Sequence, residues 1–109
     1  MIDSDALTAL AALAHPTRLA TFRLLVRHEP DGLSTGQIVA AAGLTQSTVS
    51  THLAVLVKAG LVAPEKRGRQ IIQRAQLDTL RALMIFLAKD CCQGRAELCA
   101  PLLAELTCC

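Results

Sequence analysis

Between Thr45 and Gly60 the apolar residues Val49, Leu53, Leu56 and Val57 recur at helical spacing, and after Gly60 that period stops. Apolar pairs follow, Leu61-Val62 and Ile71-Ile72, on either side of Glu65-Lys66-Arg67-Gly68-Arg69-Gln70. The first pattern buries one stripe of a helix, and the second fits a β-hairpin with a glycine at its turn. This switch of period predicts a mainly α fold with a small β-hairpin. Composition agrees: 52% of residues are hydrophobic but only 2% aromatic, with Ala and Leu dominant, which suits packed helices better than a sheet sandwich. A length of 109 residues fits one domain over 1–109, with no separate regulatory module.

Upstream, Asp3 or Ser4 can cap a first helix running to about Ala14, with Leu7, Leu10, Ala11 and Ala14 on one stripe. His15-Pro16 breaks it, and Pro16 suits the first turn of a second helix whose apolar face is Leu19, Phe22, Leu25 and Val26. Glu29-Pro30-Asp31-Gly32 is a turn signal. Ser34 or Thr35 can cap a third helix, with Ile38, Val39 and Ala42 inward and Gly43 as its stop; with the Thr45 helix behind it, this makes a helix-turn-helix. A last long helix begins at Gln76, with Leu77, Leu80, Leu83, Met84 and Leu87 on one stripe that Ile85 and Phe86 widen. That is more apolar circumference than one small core covers, so Leu7, Leu10, Leu80, Leu83 and Leu87 are expected at the interface of a homodimer.

Charge is unevenly placed. Thr45 to Arg74 holds Lys58, Lys66, Arg67, Arg69 and Arg74 against Glu65 alone, a net of +4, while the whole chain carries +2. The hairpin tip, with Lys66, Arg67 and Arg69, is therefore a candidate phosphate anchor, although a solvated face begins the same way. Gln46, Ser47, Thr48, Ser50, Thr51 and His52 cluster toward the start of the fourth helix, where a recognition helix meets base edges. His52 fits a core or capping role as well as a base reader, and His15 and His28 read as structural. The partner these residues suit is double-stranded DNA.

The stretch "LTQSTVSTHLAVLVKAGLV", preceded by "AHPTRLATFRLL" and followed by the basic hairpin, resembles the ArsR/SmtB family of winged-helix transcriptional repressors over roughly Leu10 to Leu87. The resemblance implies a homodimer that binds an operator without any cofactor and leaves it when a metal or metalloid binds. Members hold ligands at different places. A Cys-x-Cys pair in the third helix is absent from "STGQIVAAAG", and the Asp and His ligands of a zinc-binding last helix are not matched in "QLDTLRALMIFLAKD", which has no histidine. "CCQGRAELC" resembles the C-terminal arsenic-binding variant, with Cys91, Cys92 and Cys99 at the matching positions and Ala96 where that variant often has proline. The sensor segment is thus about residues 89–109.

Three soft thiolates favour a thiophilic ion over magnesium, calcium or manganese. Trivalent arsenic takes three sulfurs, antimonite shares that chemistry, and a methylated trivalent arsenic needs only two. Structural zinc normally wants a fourth ligand, which Cys108 or Cys109 could supply. Adjacent helical residues point about 100° apart, so Cys91 and Cys92 grip one ion only if the helix opens, and Gly94 lowers the cost of that opening. The competing reading is a thiol-redox regulator that joins Cys91 or Cys92 to Cys99 as a disulfide; buried small hydrophobes are the plainest one. A Gly-rich phosphate loop, a Gly-x-Ser-x-Gly elbow and a His-Glu-x-x-His motif are missing, so the expectation is not an enzyme. An acidic start and clustered, odd-numbered cysteines point to a cytoplasmic protein without a membrane partner.

Overall fold

The computed structural model describes residues 1–89 and 96–106. The elements are α1 (Asp3–Leu13), α2 (Pro16–Arg27), β1 (Leu33–Ser34), α3 (Thr35–Ala42), α4 (Gln46–Lys58), β2 (Val62–Arg67), β3 (Gln70–Ala75), α5 (Leu77–Ala88) and α6 (Ala96–Leu106). The sheet is antiparallel with order β1-β3-β2, so the expected hairpin gains a third, two-residue strand. β1 pairs Leu33 with Gln73 and Ser34 with Ile72, tying the start of the helix-turn-helix to the hairpin.

Local chemistry explains the helix ends. Ser34 Oγ accepts from the Gln37 amide while Gln37 Oε1 accepts from the Ser34 amide, a reciprocal capping box at the start of α3. Gly43 ends α3 in the left-handed region at φ 67°, its N–H bonded to Val39 O. Thr45 caps α4, as expected. At α1 the expectation shifts by a residue: Ile2 is the cap position, and Asp5 reaches back to accept from the Ile2 amide. Arg18, on α2, donates to the carbonyls of Ala12 (2.6 Å) and Ala11 (3.4 Å), placing a cation at the negative end of α1.

One core joins Phe22 and Leu25 of α2, Ile38 of α3, Val49, Leu53 and Leu56 of α4, Leu61 and Val62 at the start of the hairpin, and Leu83 of α5. The α1 face turned into this core is Ala6, Ala9 and Ala12, whose small side chains let the helix lie close to α2, α4 and α5. The expected stripe of Leu7, Leu10, Ala11 and Ala14 is instead exposed.

In the C-terminal part, the helix expected from Gln76 is α5, and a further helix, α6, with Pro101 within it, is described beyond it. Leu83 is only 3% exposed within the single subunit, so it fills that subunit's own core and is not free surface for a second one. Leu80 is half-buried, whereas Leu87 is 58% exposed. Residues of α5 and α6 line a groove of about 440 Å3, with Leu77, Leu80, Met84, Ile85, Leu102 and Leu106 among its walls.

Two glycines test the backbone account. Gly32 adopts φ 73°, and a Cβ there would lie 2.7 Å from Gln73 O and from Ile72 Cγ2; Gly43 adopts φ 67° with nothing within 4 Å. Gly43→Ala should cost only the left-handed penalty, about 1–2 kcal/mol. Gly32→Ala should cost clearly more, because the turn must also move off the β3 backbone. Chemical denaturation of both variants checks this; equal losses would contradict it.

Candidate nucleic-acid interface and sensor segment

Burial of Val49, Leu53 and Leu56 fixes which side of α4 faces outward. Gln46, Ser47, Ser50 and Thr51 are exposed, and Thr48 is half-buried. Thr48 is occupied locally: its N–H donates to Thr45 Oγ1 (3.3 Å), and Thr45 Oγ1 donates to Thr48 Oγ1 (2.9 Å). The Thr51 hydroxyl donates to Ser47 O at 2.9 Å. Among the described residues this leaves Gln46, Ser47 and Ser50 with side-chain donors and acceptors not committed to the protein, the inventory that base edges require.

His52 departs from that exposed row. Its ring stacks on His15, with centroids 4.5 Å apart and planes tilted by 39°. His15 in turn caps α2, its Nδ1 accepting from the Thr17 amide at 3.1 Å. His52 Nδ1 is buried with no hydrogen-bond partner. Burial, and then the neighbouring His15 and Arg18 charges, push the His52 pKa below its ordinary value. The pair joins α4 to the start of α2, which is the structural role open to it from the start; His28 is likewise structural, its Nδ1 2.9 Å from Leu24 O.

On the hairpin, Lys66 and Arg69 are exposed and make no ion pair among the described residues, and Gly68 turns the chain at φ 61°. Arg67 is engaged: Nη2 lies 3.1 Å from Glu65 Oε2 and Nη1 donates to Asp31 O at 3.3 Å. Arg74 grips Glu29 through two bonds, at 2.9 and 3.3 Å, and stands 3.6 Å from Glu65. The bond from Arg67, with the Arg67 and Arg74 charges beside it, holds the Glu65 carboxyl below its ordinary pKa, and the Glu29 bond raises that of Arg74. These pairings were not legible in the sequence, where Glu29 and Arg74 stand 45 positions apart.

Cys91, Cys92, Gly94, Cys108 and Cys109 lie outside the described residues, and Cys99 is described only as backbone within α6. Among the described residues no three His, Cys, Asp or Glu side chains converge on a position for an ion. None of the described helices is long and apolar enough to cross a membrane.

The His52 environment sets a pH dependence. A histidine whose folded pKa is depressed contributes stability that is fully present above its unfolded value, about 6.5, and is lost as pH falls below it. The drop in melting temperature between about pH 7.5 and about pH 5.5 should therefore be smaller for His52→Asn than for the parent. An equal drop in both proteins would show that His52 does not carry it.

Comparison with known proteins places this geometry. A helix-turn-helix domain model matches residues 13–65. The HTH-type transcriptional regulator CmtR of Mycobacterium tuberculosis is 45% identical over 60 residues, 55% of this chain and 48% of that protein, so the match spans about half its length. The transcriptional activator HlyU of Vibrio cholerae is 31% identical over 92 residues, 84% of this chain and 82% of HlyU. The crystal structure of a "possible transcriptional regulator for arsenical resistance" superposes with a TM-score of 0.60 at 34% identity, covering 89% of this chain and 94% of that one. With the helix-turn-helix, the hairpin behind it and relatives that align along most of their length, the chain belongs to the ArsR/SmtB family of winged-helix transcriptional regulators.

Proposed function

We propose that the protein is a homodimeric repressor that binds operator DNA and releases it when trivalent arsenic, or antimony, is taken up by Cys91, Cys92 and Cys99. The observation that carries the DNA half is the uncommitted polar set of Gln46, Ser47 and Ser50 on the outer side of α4, with Lys66 and Arg69 exposed on a hairpin whose Pro64 lines one cleft with Ser50. Such a pairing divides the work between base edges and phosphates. The sensing half rests on thiol chemistry: three soft sulfurs satisfy a trivalent pnictogen fully, whereas zinc would need a further ligand. The similarity to a possible transcriptional regulator for arsenical resistance supports that choice. HlyU is a transcriptional activator, so repression rests on the proposed release of DNA by the ligand and not on that relative.

Dimerisation follows from what α1 and α5 leave uncovered. Leu7 is 66% exposed, Ile85 60% and Leu87 58%, together with Leu10 at 38%. Burying such side chains is worth about 1.5–3 kcal/mol each. Leu7→Glu and Leu87→Glu should give folded monomers with weak DNA affinity, by sedimentation velocity and circular dichroism. An unaltered dimer in both variants would move the interface elsewhere.

The sensing set is tested by DNA release on adding arsenite under strong reductant, with each cysteine changed to serine and an operator first selected from random sequence. Cys91→Ser and Cys92→Ser should bind DNA and ignore arsenite. Cys99→Ser should lose the response to arsenite more than to a methylated trivalent arsenical, because carbon occupies one arsenic valence. The Cys108→Ser/Cys109→Ser double variant should respond like the parent. A response that depended on the terminal pair alone would overturn the sensing set and leave the DNA-binding half intact.

A further inference from the structure

The three cations of the hairpin tip are equivalent in sequence but not in the sheet. Successive residues of a strand point to opposite faces. On β2, Lys66 shares its face with Pro64, which pairs with Gln73. Gln73 Nε2 lies 3.4 Å from Thr35 Oγ1 at the start of α3, and Pro64 and Gln73 line a cleft with Ser50, Leu53, Ala54 and Val57 of α4. Lys66 therefore belongs to the face turned toward the recognition helix. Arg67 belongs to the other face, with Glu65 and, diagonally across the ladder, Arg74.

On that second face the charges form a continuous clasp. Glu29, at the end of the α2 region and 10% exposed in its side chain, is held by Arg74; Arg74 stands beside Glu65; Glu65 accepts from Arg67; and Arg67 donates back to Asp31 O in the turn that follows Glu29. A guanidinium fork makes two bonds in different directions at once, which an ammonium cannot reproduce in the same geometry. Arg67 thus bridges the end of the hairpin to the α2–β1 turn.

Resting on the reading that this hairpin meets DNA, we infer that Arg67 is a positioning residue that fixes the hairpin through Glu65 and Asp31, and that Lys66 and Arg69 alone among the tip cations neutralise phosphates. The two roles differ in how they respond to salt. Each lost phosphate contact lowers the slope of log affinity against log salt by about 0.9, whereas a loosened hairpin lowers affinity at every salt and leaves the slope in place.

The test uses the full chain and a labelled random-sequence 30-base-pair duplex, with anisotropy titrations across a potassium chloride series. Lys66→Ala and Arg69→Ala should each reduce the slope by about 0.9 for every protomer on the duplex. Arg67→Ala should leave the slope unchanged and weaken binding about two- to fivefold, in keeping with exposed ion pairs. Arg67→Lys should behave like Arg67→Ala, because it keeps the charge and loses the fork. If Arg67→Ala reduced the slope and Arg67→Lys restored it, Arg67 would be a phosphate anchor and the inference would fail while the hairpin still met DNA. Unchanged slopes for Lys66→Ala and Arg69→Ala would overturn both the inference and the hairpin's place in the interface.

Discussion

Val49, Leu53 and Leu56 seat α4 in the core, and each is under 5% exposed. Everything outward about the molecule depends on that seating. A helix held by one stripe has no rotational freedom, so Gln46, Ser47 and Ser50 are presented as a fixed row. Truncating a single buried leucine of this kind costs about 2–5 kcal/mol, comparable to much of the stability of a small domain. The glycine-ended turn at Gly43 and the Thr45 cap then fix where the row begins. The His15–His52 contact adds a second fastening, between α4 and the first turn of α2.

The same core determines what α1 and α5 have left to offer. Alanine is the buried residue of α1 because three neighbouring elements press on it, and the leucines are consequently turned out. On α5 a single stripe is divided between two tasks: Leu83 goes to the subunit's own core, while Leu87, one turn later, stays uncovered. Coupling between a ligand near the end of α5 and DNA would run through this region. A change of about 1–3 kcal/mol there is enough to alter DNA affinity about 5- to 150-fold.

The parts of this arrangement legible in sequence are those fixed by short-range rules. The α4 period, the Gly43 stop, the Ser34 cap and the hairpin around Gly68 each reside within a few residues, and all four stand in the structure. β1 was not legible because it has only two residues and its second, Ser34, also caps α3. α6 was hidden by Pro101, which has no amide hydrogen to donate and ordinarily argues against a helix. The division between Leu83 and Leu87 and the capture of Arg67 by Glu65 and Asp31 depend on packing between distant segments. Periodicity marks both leucines alike, and charge alone marks Arg67 as it marks Lys66. The cysteine set is the reverse case, legible as chemistry in the sequence and lying mostly outside the described residues.

In the proposed switch, metalloid occupancy of the thiols, and not their oxidation, sets DNA affinity. The most direct measurement follows the anisotropy of a selected operator duplex bound by the intact chain, as arsenite is titrated in strong reductant and, separately, as an oxidant is added without metalloid. Release that saturates at one arsenic per chain, with the complex persisting under oxidant, is the predicted result. A complex that survives saturating arsenite, or that dissociates on oxidation alone, would contradict the account.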